Sequence, residues 1–300
     1  MPPDSTIIRR PRRGITLHPV FLAIILWLSV LCGSGCADVY RWQDTRGQTH
    51  YSDQALAGAE KLPIVETQPA TNATGDNHIV SRVYDGDTVT LDDGSKVRLL
   101  GLNTPEIEGI SKHDEPGGQT ARAWLKQRIE KKVVRIKTDT VTRDKYQRLL
   151  AHIFTLEDRH INLELVEEGL AATDIHPPNL AYVDALVAAE KRAQNANKGL
   201  WALPEYQAHE LGAPGKVPAS GWQRLSGTIS ATEVNPGYQS CRLAANGNAI
   251  EIRVDNDNLP LFPPLSAYKN HRAEARGWPK CRQSGCFMYI KHPSALIVLD

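Results

Sequence analysis

Residues 84–106 read YDGDTVTLDDGSKVRLLGLNTPE, and this stretch decides the fold. Thr88-Val89-Thr90-Leu91 and Val97–Leu102 are apolar or β-branched runs, and Val83-Tyr84 stands before Asp85-Gly86-Asp87. Such residues favour extended backbone, and Asp92-Asp93-Gly94 between them is a hairpin-turn signal. The pattern predicts a three-stranded meander with its carboxylates and amides on strand ends and turns, where side chains converge.

Downstream, Asp114–Gly118 is a loop leading to a helix in which Ala121, Trp124, Leu125 and Ile129 share one core-facing side. Val133–Thr138 and Arg148–Thr155 are two more strands, the second closed by a turn at Glu157-Asp158. Asn162 caps a helix that runs through Glu168 and ends at Gly169, and a last helix runs from Asn179 to Asn197. Three strands, a helix, two strands and then helices over residues 78–201 is the order of a five-stranded closed barrel of the oligonucleotide-binding (OB) type. The predicted class is mainly β with packed helices, α+β.

At the N-terminus, Arg9, Arg10, Arg12 and Arg13 precede the apolar run Val20–Leu31, the charge order of a secretory signal. Residues 1–37 are therefore expected to be a signal peptide cut after Ala37, with lipidation of Cys36 as the alternative and a membrane tie only in that case. Either route exports the chain, to the periplasm or beyond. Residues 38–54 are expected to form a small β-hairpin module, 55–77 a linker, 202–221 a second Pro/Gly/Ala-rich linker, and 222–300 a C-terminal β domain that another OB-like barrel would suit. Its strands are expected at Leu225–Ala231, Ala249–Val254, His271–Trp278 and Phe287–Lys291. In an oxidising compartment a disulfide is expected within the trio Cys241, Cys281 and Cys286, ahead of a zinc site that adds His292. The formal charge of +1 leaves no global footprint of a nucleic-acid binder, and residues 78–201 hold 18 Lys+Arg against 19 Asp+Glu. A phosphate substrate must be recognised by placed residues.

Cutting a phosphodiester without a covalent intermediate needs a hard cation, guanidinium groups for the developing charge and a carboxylate to orient or deprotonate water. Asp87 and Asn103 offer side-chain oxygens, Thr104 a carbonyl, Arg98 and Arg148 planar forks that match phosphate oxygens, and Glu106 the carboxylate. His113, His152 and His160 show no paired ligand spacing and are expected to be structural or solvated. Lys131-Lys132 and Arg135 fit a charged helix end and strand edge as well as a nucleic-acid track.

Asp85-Gly86-Asp87-Thr88-Val89, Arg98-Leu99-Leu100-Gly101, Asn103-Thr104-Pro105-Glu106 and Asp144-Lys145-Tyr146-Gln147-Arg148, with the closing Gly199–Trp201, resemble the staphylococcal nuclease (thermonuclease) family in order and spacing. The resemblance implies a calcium-dependent, sugar-non-specific nuclease that hydrolyses DNA or RNA to products with 3′-phosphates. It implies Asp87, Asn103 and the Thr104 carbonyl as calcium ligands, Glu106 as general base, Arg98 and Arg148 as transition-state partners, and Lys145 and Tyr146 as substrate contacts. A monomer without a stable protein partner is expected. The chain departs from the type member at Asn103, where an aspartate is usual, at Gln147, where Gly is common, and after Gly169, where AATDIHPP lacks the base-stacking tyrosines and offers His176 instead. These departures keep open a second function, a catalytically weak or inactive envelope or nucleic-acid-binding protein on the same barrel. Residues 38–53 resemble a short module of unassigned role found in secreted bacterial envelope proteins.

Overall fold

The computed structural model describes residues 76–107, 114–212, 221–283 and 285–300, and the backbone of three earlier strands. The chain divides into two compact units, Met1–Asn72 and Ala73–Asp300. In the first, β1 (Val39–Gln43), β2 (Thr49–Ser52) and β3 (Glu60–Leu62) form an antiparallel sheet in the order β2-β1-β3. β3 lies inside the stretch expected to be a linker. A hairpin leaves an edge of unpaired N–H and C=O groups, and Glu60–Leu62 pairs with that edge despite having no apolar period of its own. The expected signal peptide, Cys36 and His113 lie outside the described residues.

In the second unit, β4 (Asn77–Val83), β5 (Thr88–Leu91) and β6 (Lys96–Leu99) form the meander, and β7 (Leu102–Asn103) follows it. After α1 (Gly118–Ile129) come β8 (Val133–Arg143) and β9 (Leu149–Thr155), and the strands close as a barrel in the order β4-β5-β6-β9-β8. β6 and β9 are the parallel pair, with Arg98 opposite Leu150. Inward positions alternate as the pleat requires: Val89 and Leu91, Val97 and Leu99, Val134 and Ile136, Ala151 and Ile153 are all buried. In β4 the buried residues are Val80 and Val83, three apart, because a bulge falls between residues 80 and 82. α1 closes one side of the core with Ala121, Leu125 and Ile129, four apart. Trp124, expected in the core, lies half-buried at its margin with the Arg128 guanidinium 5.1 Å from its ring centre.

α2 (Ile161–Glu167), β10 (Ala172–Thr173) and α3 (Val183–Asn195) complete the barrel lobe. Two helix starts differ from expectation. His160 occupies the cap position of α2, and Asn162 is buried inside the first turn, accepting from Ile153 N (3.0 Å) and donating to Leu100 O (2.9 Å). Asn179 precedes α3 altogether and binds both backbone groups of Val141. In each case the amide satisfies backbone groups far away in sequence, a tertiary demand with no local signature.

Past 3₁₀ turns at Gly199–Ala202 and Pro204–Tyr206, β11 (His209–Glu210) pairs in parallel with β12 (Gln223–Asn235), so the second expected linker is in part ordered structure. Then follow β13 (Tyr238–Ala245), β14 (Asn248–Asp255), β15 (Arg272–Gly277), β16 (Lys280–Arg282), β17 (Gly285–Tyr289) and β18 (Leu296–Val298). The pairings β12 with β13 and β15, β13 with β14, and β14 in parallel with β17 repeat the connectivity of the first barrel. Among the described residues these strands form an eight-stranded sheet, and no hydrogen-bonded pairing of β15 with β17 closes it into a ring. β13 escaped sequence reading because Tyr238–Ala245 mixes polar and small residues; it is held by long pairings on both sides. Cys281 and Cys286 form a disulfide across the β16–β17 hairpin, and Cys241 is a buried free thiol whose pKa burial pushes up to about 12. No helix among the described residues is long and apolar enough to cross a membrane.

The two lobes are clamped by charge. Arg276 of β15 donates to Glu190 of α3 (2.7 Å) and to Gln194 (3.2 Å), with the Arg276 and Glu190 side chains only 9% and 4% exposed. Glu274 joins Arg276 to Arg224, and Trp222 packs its ring against Trp201 and Tyr206.

Candidate active site

The turn from β4 to β5 brings Asp87 against the segment after β7. Gly86 makes this possible: a Cβ there would stand 2.6 Å from Thr104 Oγ1 and 2.8 Å from the Ala121 Cβ. Asp87 is buried, and its Oδ2 accepts from Thr104 N (2.9 Å) and Thr104 Oγ1 (3.0 Å). The Arg98 guanidinium, carried beside it on β6, is 3.0 Å from the same oxygen through Nη1 and donates through Nη2 to Asn103 Oδ1 (2.9 Å). Asn103 Nδ2 donates in turn to Thr104 O at 3.0 Å. The two sequence-predicted oxygens nearest Asp87 therefore belong to one hydrogen-bonded set.

Arg148 reaches the site from the start of β9. Asp144 holds it: Oδ1 accepts from the backbone of Tyr146 and Arg148, and Oδ2 from Arg148 Nε at 2.7 Å. Burial raises the Asp144 carboxyl pKa, but the hydrogen bonds and charge of Arg148 outweigh it and leave it low. Gln147 takes the left-handed conformation, φ 64°, that explains why glycine suits this position; its N–H still closes the turn onto Asp144 O. Lys145 and Tyr146 are exposed beside it, with the ammonium 5.0 Å from the ring centre.

Asp85, Asp87, Arg98, Asn103, Glu106, Lys145, Tyr146 and Arg148 all line one cleft of about 1010 Å³. Thr104 is buried behind it. The carboxylates disturb one another. Burial, then repulsion from Asp87, pushes the Asp85 carboxyl up to about 7, and burial with repulsion from Asp87 and Glu115 raises Glu106 against the opposing charges of Arg98 and Arg148. Crowded, half-desolvated carboxylates beside an amide and a carbonyl oxygen are a donor set that suits a hard divalent cation. A separate trio, His78 of β4 with Asp92 and Asp93 of the turn after β5, could also meet at a cation but stands outside the cleft.

Sequence reasoning missed the supports. Asp85 reads as a turn residue, yet its Oδ1 accepts from Asp87 N at 2.9 Å and fixes the loop. Glu115 accepts from Glu106 N across the 108–113 segment, and only the fold brings them together. Asp174, His176 and Lys291 also line the cleft, the last from the C-terminal lobe. Lys131, Lys132 and Arg135 do not line it; they bind Ser81 O, Gln127 O and Asp158.

Comparison with known proteins bears on this arrangement. Residues 96–203 match the family model described as staphylococcal nuclease homologue, and residues 26–74 match a domain of unknown function (DUF4124). The thermonuclease of Staphylococcus intermedius is 36% identical over 135 residues, 44% of this chain and 80% of that protein. The chain belongs to the staphylococcal nuclease family. The Staphylococcus hyicus thermonuclease is 33% identical over 44% of this chain and 79% of its own length, and the endonuclease YhcR of Bacillus subtilis is 32% identical over half of this chain but only 14% of that protein. As a family member the chain is a thermonuclease-like endonuclease, a hydrolase. The family match stops at residue 203, so the clamped C-terminal lobe lies outside the staphylococcal nuclease homology.

Proposed function

We propose that this member of the staphylococcal nuclease family is an exported, calcium-dependent nuclease that cleaves DNA or RNA to fragments ending in 3′-phosphates. The observation that carries it is the convergence of Asp87, Arg98, Glu106 and Arg148 on one cleft. Calcium held by Asp87, Asn103 and the Thr104 carbonyl would neutralise a phosphate oxygen. Glu106 accepts a proton from water as the water oxygen bonds to phosphorus; its raised pKa makes it a better proton acceptor near neutral pH than an exposed carboxylate. The bond from phosphorus to the 5′-oxygen breaks, that oxygen takes a proton from solvent water to leave as a hydroxyl, and the phosphate stays on the 3′ side. Arg98 and Arg148, each fixed by a carboxylate partner, present donors to the oxygens that gain charge at that moment. Exposed Lys145 and Tyr146 contact the adjoining phosphate. The charge order of residues 9–31 supports export.

Purified protein lacking residues 1–37 is incubated with single-stranded DNA, with and without calcium, and product ends are tested with a phosphatase that removes 3′-phosphates. Cleavage that needs calcium, stops on chelation and leaves phosphatase-sensitive 3′ ends is expected. Calcium-independent cleavage, or none, rejects the proposal, and the latter outcome leaves the binding-only function on the same barrel.

A further inference from the structure

One wall of the cleft has no part in the reaction just described. Lys291, beyond β17 in the C-terminal lobe, donates from Nζ to His176 Nδ1 at 2.9 Å, across 115 positions of sequence. That donation makes Nδ1 the acceptor and leaves His176 Nε2–H to donate to Asp174 Oδ2, also at 2.9 Å. Asp174 is tied to the reacting side, because its backbone N–H donates to Gly101 O (3.1 Å) in the turn that follows Arg98 on β6. Burial raises the Asp174 pKa, but His176, then Arg98 and Lys291, lower it overall.

The chain from Lys291 to Asp174 is poorly placed to be a clasp between lobes. His176 is exposed, and an ion pair in contact with water contributes about 0–1 kcal/mol. The lobes are already joined by the buried Arg276–Glu190 pair. Lys291 is better placed to serve the cleft. Its lining holds five acids, Asp85, Asp87, Glu106, Asp144 and Asp174, against five bases, and Lys291 is the one base that the C-terminal lobe supplies among the described residues. A nucleic-acid strand brings one negative charge per phosphate into this balanced lining, so each base counts. An ammonium has three protons, and the His176 bond uses one.

Building on the nuclease reading above, we propose that the Lys291 ammonium, positioned by His176, forms a subsite for a backbone phosphate of a single-stranded polynucleotide, set beside the scissile position and completed only by the C-terminal lobe. The ligand class is an extended strand, not a mononucleotide, and the lobe lengthens the footprint of the cleft.

The test reads binding of fluorescein-labelled single-stranded DNA, a dinucleotide and an octanucleotide, by anisotropy in chelator. For the octanucleotide, Lys291→Gln should bind roughly 5-fold more weakly near 0.1 M salt, and the slope of log K against log salt should be shallower by roughly 0.7, the signature of one lost phosphate contact on a single strand. Lys291→Arg should keep the slope. Lys269→Gln, which removes an exposed lysine of the same lobe outside the cleft, should match the unaltered protein. An unchanged slope in Lys291→Gln overturns the subsite, as does an equal loss for dinucleotide and octanucleotide, which marks a general disturbance of the cleft. Calcium-dependent cleavage by the unaltered protein is scored separately, so failure of the nuclease reading is seen there and not in these slopes.

Discussion

Asn103 is where this copy of the site differs most from its family pattern. Its Oδ1 accepts from Arg98 while its Nδ2 occupies the Thr104 carbonyl, so one proposed cation ligand engages the other. An aspartate would keep the Arg98 partnership, add a negative charge and release the carbonyl. Calcium affinity follows the number of charged ligands, so Asn103→Asp should lower the calcium concentration for half-maximal activity by roughly 10-fold. A calcium titration of both proteins checks this; an unchanged or raised midpoint would remove Asn103 from the ligand set. The identity of such residues was readable in the sequence because the family spacing fixes them. Their hydrogen bonds were not, since Asp85, Glu115 and Asp144 act through turns and loops whose closure depends on the whole barrel.

At the scale of elements, β9, the entry to α2 and the residue before α3 meet in an aromatic cluster. His152 Nδ1 and His160 Nε2 are 3.1 Å apart, Phe154 stacks on His160, and Tyr182 packs on all three rings while accepting from Lys137 Nζ. Burial lowers His152 to about 4; burial and the neighbouring His152 lower His160 to about 3. Both rings are neutral in the folded protein at pH 5, whereas in the unfolded chain they take up protons below about 6.5. The unfolded state then binds more protons, so stability contributed by the pair is complete above pH 6.5 and falls as pH drops toward 4. Each ring contributes a slope of up to about 1.4 kcal/mol per pH unit. Urea unfolding across that range should show the loss, and His160→Phe should flatten it; an unchanged slope would mean that the rings titrate normally. The sequence pointed to structural histidines here but gave no sign that they pair. The barrel strands were legible from their period of two, whereas β3, β11 and β13 were not, because pairing partners rather than local patterns make them strands.

Over the whole molecule, the C-terminal lobe acts on the site through two routes. Arg276 holds Glu190, Glu190 accepts from Thr173 N at 2.7 Å, and β10 pairs Ala172 with Asn103 on β7. Lys291 and His176 reach the cleft itself. No composition or spacing could have announced this, because the contacts join residues some 80 to 115 positions apart. Both routes end at a cleft whose proposed chemistry rests on Glu106. The direct measurement is a comparison of Glu106→Gln with the unaltered protein, in calcium-dependent cleavage and in binding of the same single-stranded DNA. Cleavage should fall by roughly 10²–10⁴-fold, the span of general-base catalysis, with binding retained. Cleavage within a few-fold of the unaltered protein would contradict the assignment of Glu106 as the base and, with it, this account of the cleft.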